Sequence, residues 1–210
     1  MKNIQWIFFD VGSTLVDESR AYEHRFLDIA RAADRSYEEI YQYALSLYEM
    51  NHKGDLETAI KYGVEIPEWH QEDESLYQGV PQLLEGLGKC FKIGIIANQP
   101  LGTEERLRNH GILKYIDLVV ASAEEGVAKP DLRIFEIALK RSGCLAEYAV
   151  MVGDRIDNDI VPAKKMGMHT IWVKQGYGRY WQLQNDGEVP EIQIDSILEV
   201  RQHFSFIIKA

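Results

Sequence analysis

The chain has 210 residues and a mass of 24.2 kDa, enough for one well-buried core plus a subdomain and short for two independent enzyme domains. A hydrophobic share of 46% beside 27% charged residues is the composition of an ordinary globule, and no apolar run approaches the roughly 20 residues of a membrane span. A net charge of −10 and a pI near 5.1, without a Lys/Arg cluster, argue against nucleic acid and anionic membrane as partners, so any anion site must be local.

The amino terminus runs straight into an apolar segment with no signal-like h-region, and the expected location is cytoplasmic. Cys90 and Cys144 lie far apart without a CxxC partner, which predicts buried free thiols rather than a zinc site or disulfide. Residues 5–9 form the first short apolar run and predict a buried strand. The interval 17–78 then changes period. Tyr22, Phe26, Ile29 and Ala30, followed by Ile40, Tyr43, Ala44, Leu47 and Tyr48, and finally Leu56, Ala59 and Ile60, fall at helical spacing, with breaks near Ser36, Gly54, Gly63 and Pro67. This predicts an inserted helical cap whose aromatics, including Tyr41, are mostly core. His24, His52 and His70 read as ordinary solvated residues.

Beyond residue 78, helical patterns at 80–89, 104–110, 132–141 and 157–166 alternate with apolar runs at 91–96, 118–121, 149–152 and 170–173. Gly176-Tyr177-Gly178 lacks the strand, glycine and helix order of a nucleotide fingerprint and reads as a loop. An edge strand at 192–194 and a last helix from Ser196 close the chain. Alternating strands and helices imply right-handed crossovers, hence an α/β fold: a doubly wound, Rossmann-like parallel sheet made of residues 1–16 and 79–210, with the helical cap of residues 17–78 inserted after the first strand.

In an open parallel sheet, ligands bind beyond the carboxyl ends of the strands. The residues there are Asp10, then Ala97 and Asn98, then Asp154, with Lys129 on the loop Gly126-Val127-Ala128-Lys129-Pro130. Two carboxylates supply hard oxygen ligands for Mg²⁺, a lysine neutralises charge developing on a phosphoryl group, and Asp10 can attack in line. The set suits phosphoryl transfer to and from a small phosphorylated molecule.

With those residues in order, the chain resembles the haloacid dehalogenase-like (HAD) superfamily of aspartate-nucleophile hydrolases, in its helical-cap (C1) subgroup. The resemblance rests on Asp10-Val11-Gly12-Ser13-Thr14, Ile95-Ile96-Ala97-Asn98, Lys129-Pro130 and Gly153-Asp154-Arg155-Ile156-Asp157-Asn158-Asp159, and spans nearly the whole chain. It implies that Asp10 forms a phosphoenzyme, and that Asp10, the Gly12 carbonyl and Asp154 bind Mg²⁺. Asn98 and Lys129 are then expected on the phosphate, with Asp159 and Asn158 behind the metal.

Two departures qualify the resemblance. The family's phosphatases carry a second aspartate, the general acid and base, where this chain has Gly12, and a Ser or Thr hydroxyl where it has Ala97. Proton transfer is typically worth about 10²- to 10⁴-fold. Its loss predicts slow turnover or restriction to activated leaving groups, and Gly12→Asp should then raise turnover on alkyl phosphates. Among candidate replacements, including the histidines, Asp17 and Glu18, no spacing selects one. Two other readings remain open. One is a binding module that keeps a phospho-ligand pocket without turnover, the other a phosphonatase-like C–P hydrolase using a cap lysine such as Lys53 or Lys61.

Overall fold

The computed structural model describes residues 3–204. Strand β1 (Trp6–Phe9) leads through a tight turn to a two-residue strand, β2 (Val16–Asp17), and into helices α1 (Ser19–Ala33), α2 (Tyr37–Glu49) and α3 (Gly54–Lys61). After a single 3-10 turn at Gln71–Asp73, strand β3 (Ser75–Leu76) pairs antiparallel with β2, Val16 facing Leu76 and Asp17 facing Ser75. The helical insertion thus leaves and rejoins the rest of the chain through one narrow ribbon. Ser36 begins α2 with its hydroxyl accepting from the Glu39 N–H, which satisfies one of the donors a helix start leaves unpaired.

The remaining elements follow in alternation: α4 (Val80–Gly88), β4 (Lys92–Ala97), α5 (Thr103–Asn109), β5 (Leu118–Ala121), the short α6 (Ser122–Glu125), α7 (Leu132–Ser142), β6 (Ala149–Gly153), α8 (Val161–Lys165), β7 (His169–Val173) and β8 (Ile192–Ile194). Six strands form one parallel sheet in the order β5-β4-β1-β6-β7-β8. The chain winds outward from β1 through β4 to β5, then crosses to β6 on the other side. That reversal opens a crevice where β1 and β6 end, and their register, Phe9 opposite Val152, sets Asp10 and Asp154 beside it.

Strand alternation divides the core. Ile7, Phe9, Ile93, Ile95, Val150 and Val152 pack on the face covered by Leu83, Leu84 and Leu87 of α4, whereas Phe8, Ile96 and Met151 meet Ile134, Phe135 and Ala138 of α7. Both faces are therefore dry. This explains why the central strands read as unbroken apolar runs.

Four expectations need correction. Residues 157–166 are not one regular helix: a π-helical turn, Ile156–Ile160, precedes α8. The last helix is a 3-10 segment, Ile197–Phe204, and residues 205–210 lie outside those described. Cys90 is exposed, although Cys144 is buried. His24 and His70 are not simply solvated: their rings stack at 3.4 Å, with His24 against Asp73 and His70 against Asp28 and Glu72.

The loop at Gly176-Tyr177-Gly178 is the largest surprise. It forms a 3-10 turn, Tyr177–Tyr180, that enters the aromatic cluster of the insertion. Tyr177 stacks on Tyr48 at 4.3 Å and meets Tyr22 edge-on at 4.9 Å. Aromatic pairs of this kind add about 0.5–1.5 kcal/mol each beyond their buried area. Tyr177→Ala is expected to destabilise the protein by about 3 kcal/mol in urea unfolding, and to make the chain around α2 and α3 more sensitive to proteolysis before global unfolding.

Candidate active site

Asp10 stands one residue past β1, its N–H donating to the Val152 carbonyl at 2.9 Å. The turn behind it is held by the Val11 carbonyl, which accepts from Leu15 and Val16, each at 2.9 Å. Ser13 adopts a left-handed conformation with φ of 53°. From β6, Asp154 reaches the same crevice, where its backbone carbonyl accepts from Trp172 Nε1 at 2.8 Å and its carboxylate from Thr14 Oγ1 at 3.4 Å. A side chain at Gly178 would run into that carboxylate, 2.7 Å from Oδ2, so the glycine lets the Tyr177 turn pass close to the site.

Lys129 links the charges. Its Nζ donates to Asp10 Oδ1 at 2.7 Å and to Asp159 Oδ1 at 2.5 Å, while the other Asp159 oxygen accepts from the Arg155 N–H at 2.9 Å. Burial works against the Lys129 ammonium, but Asp10 and Asp159 outweigh it and hold it above its ordinary range. Asp159 is pushed up to about 6, chiefly by burial and then by its neighbours, with Lys129 pulling the other way. Asp154 is raised well above the carboxylate range, first by burial and then by Asp10 and Asp159.

Asp10, Asp154 and Asp159 each offer one oxygen within a 4.8 Å span, all buried. Three carboxylates facing a single ammonium leave excess negative charge, and their hard oxygens fit a magnesium ion. The sequence expectation set Asp159 behind the metal; here it lies within the same cluster, shared with Lys129.

Asn98 also lies at the crevice, yet its amide is engaged at both ends by the main chain of Lys129: Nδ2 donates to the carbonyl at 2.9 Å and Oδ1 accepts from the N–H at 2.7 Å. It fixes the lysine loop rather than standing ready for a phosphate alone. Asn158 and Gly12 line the same cavity of about 550 Å³. The insertion builds the opposite wall with Tyr22, Arg25, Asp55 and Trp69. Arg25 pairs with Asp55 at 2.7 Å and lies over the Trp69 ring, 4.6 Å from its centroid. Tyr22, read from sequence as core, therefore also faces the cavity. Lys53 lines it as well, and Lys61 is not among the residues that do.

One residue that no spacing selected stands inside the site. Glu18 precedes α1 in the N-cap position, but its side chain makes no capping bond. Its carboxylate accepts from Ser13 Oγ at 3.0 Å and lies 3.8 Å from the Arg106 guanidinium. Burial, reinforced by Glu74, pushes it up to about 8, against the pull of Ser13 and Arg106. A Cβ built on Gly12 would fall 2.8 Å from the Glu18 carboxyl carbon, so Gly12→Asp requires the Glu18 side chain to swing out of its place.

Comparison with known proteins gives the family and the fold. The model of the haloacid dehalogenase-like hydrolase family matches residues 7–173. The glyceraldehyde 3-phosphate phosphatase of Methanopyrus kandleri is 30% identical over 217 residues, covering 91% of this chain and 93% of that protein. The pyrimidine 5'-nucleotidase YjjG of Escherichia coli is 30% identical over 220 residues, covering 94% and 96%. Among solved structures, the magnesium-bound HAD-hydrolase YfnB of Bacillus subtilis superposes with a TM-score of 0.67 at 20% identity, over 96% of this chain and 99% of that one, a likeness of fold. With the family match spanning both strand-end aspartates and the lysine between them, the chain belongs to the haloacid dehalogenase-like hydrolases.

Proposed function

We propose that this protein is a magnesium-dependent phosphatase acting on a small phosphorylated metabolite, with Asp10 as nucleophile. The observation that carries the reading is the meeting of Asp10, Asp154, Asp159 and Lys129 in one buried cluster at the sheet's switch point. The phosphatase names of the relatives and a cavity of about 550 Å³, the size of a small-metabolite site, support the substrate class.

In this reading Asp10 attacks phosphorus in line, an aspartyl phosphate forms, and water then releases inorganic phosphate. Lys129 orients Asp10 through its hydrogen bond to Oδ1, and Asn98 holds Lys129 in place through its backbone. Asp154, Asp10 and the Gly12 carbonyl are the assigned magnesium ligands, and the ion, when bound, supplies charge neutralisation at the phosphoryl oxygens. Asp159 anchors Lys129 from behind. The insertion closes the cavity opposite, where Arg25, Tyr22 and Trp69 are placed to meet the rest of the substrate.

Incubation with acetyl phosphate or p-nitrophenyl phosphate and Mg²⁺ is expected to give turnover, with a phosphoryl group on Asp10 detectable by mass after acid quench. Turnover that survives Asp10→Asn would refute the nucleophile. Magnesium should raise Tm as well, because a ligand at a hundred times its Kd stabilises the folded state by about 2.7 kcal/mol. That rise should vanish in Asp154→Asn; an equal rise in both proteins would place the ion elsewhere.

A further inference from the structure

Proton transfer is the part of the chemistry that the nucleophile turn does not supply, because Gly12 has no side chain. The volume such a side chain would occupy is not empty. Glu18 fills it with a carboxylate, whose Oε2 and carboxyl carbon both lie 2.8 Å from the position of a Cβ on residue 12. The same carboxylate lines the cavity shared by Asp10, Lys129 and Asp154.

Local chemistry shows that Glu18 is turned toward this place rather than left there by a structural duty. A residue at a helix start ordinarily spends its side chain on an unpaired N–H. Glu18 does not, and Asp17 serves the first turn instead, accepting from the Ser19 N–H at 3.0 Å. Glu18 has only the longer share of an ion pair. The nearby guanidinium of Arg106 belongs to Glu74, which takes a contact from Nη2 at 2.5 Å and a hydrogen bond from Nε at 3.0 Å. Glu18 is left 3.8 Å from Nη2, beyond hydrogen-bond reach, and its one short bond is from the Ser13 hydroxyl. That hydroxyl belongs to the turn that carries Asp10, so it ties the Glu18 carboxyl to the nucleophile's own turn, and Glu18 lines the cavity.

We propose that Glu18 is the proton-transfer residue of this active site, standing in for the carboxylate that position 12 lacks. The inference rests on the phosphatase reading above. In the first step the Asp10 oxygen bonds to phosphorus, the ester P–O bond breaks with its electron pair on the leaving oxygen, and the Glu18 carboxylic proton moves to that oxygen. In the second, water attacks phosphorus and gives its proton to the Glu18 carboxylate, while the P–O bond to Asp10 breaks. Free phosphate leaves, and both carboxyl groups return to their starting state. Turnover need not be confined to activated leaving groups.

The test is a leaving-group series (an alkyl phosphate, p-nitrophenyl phosphate and acetyl phosphate) run on the wild type, Glu18→Gln, Gly12→Asp and the double variant Gly12→Asp/Glu18→Ala. Folding of each is checked by circular dichroism and Tm. Glu18→Gln keeps the shape and the Ser13 contact. It is expected to lose about 10²- to 10⁴-fold on the alkyl phosphate and far less in phosphorylation by acetyl phosphate, so that Asp10 phosphoenzyme accumulates. Gly12→Asp alone should fall, because two carboxyls compete for one volume, and the double variant should recover alkyl phosphate turnover above either Glu18→Gln or Gly12→Asp. Unchanged alkyl phosphate activity in Glu18→Gln, or an equal loss on all three substrates without phosphoenzyme accumulation, would overturn the inference while leaving the phosphatase reading intact. A wild type inert on all three would overturn that reading and the inference together.

Discussion

Three buried carboxylates pressed together at the end of a parallel sheet are the constraint around which this molecule is arranged. Asp10, Asp154 and Asp159 repel one another in a site with little water to screen them, and the single ammonium of Lys129 answers only part of that charge. Such a cluster persists only if the scaffold is stiff. Here the stiffness comes from β1 and β6 lying side by side in register, with dry layers on both faces, so that neither strand end can draw back from the other. In the proposed function, a divalent cation would relieve that repulsion.

The rest of the site is an answer to that charge. Asn98 holds the lysine loop by two backbone hydrogen bonds, Arg155 gives its N–H to Asp159, and Thr14 gives its hydroxyl to Asp154. Each donor comes from a different strand end or the turn beside it. The insertion contributes little to this charge balance, and its own network of Arg25, Asp55 and Tyr48 is paired within itself.

Most of the sheet was legible because buried parallel strands have no polar face to interrupt them. The runs at 118–121 and 192–194 coincide with β5 and β8, and the other strands differ by a residue or two at their ends. Asp10 and Asp154 could be found for the same reason, as the first carboxylates after such runs. What stayed hidden depends on contacts that periodicity does not encode. Strands β2 and β3 are two residues long, too short for an alternation to register, and the π-helical turn keeps the apolar spacing of the helix it precedes. Tyr177 gave no signal because a lone aromatic between glycines reads as a loop until its partners Tyr22, Phe26 and Tyr48, more than a hundred residues earlier, are known. Glu18 was visible only as one acid among several, since its place opposite Gly12 is created by the chain doubling back through β2.

The doubled-back neck has an architectural corollary. Asp10 travels with the sheet, whereas Glu18 is the first residue past β2 and travels with α1. In the proposed mechanism, nucleophile and proton carrier are thus divided between two pieces of the protein that meet at a hinge-like ribbon, and whatever reshapes the insertion to admit a different molecule also resets the chemistry performed on it. A transplant of foreign helices after residue 17 would import a new specificity and discard the acid in the same stroke.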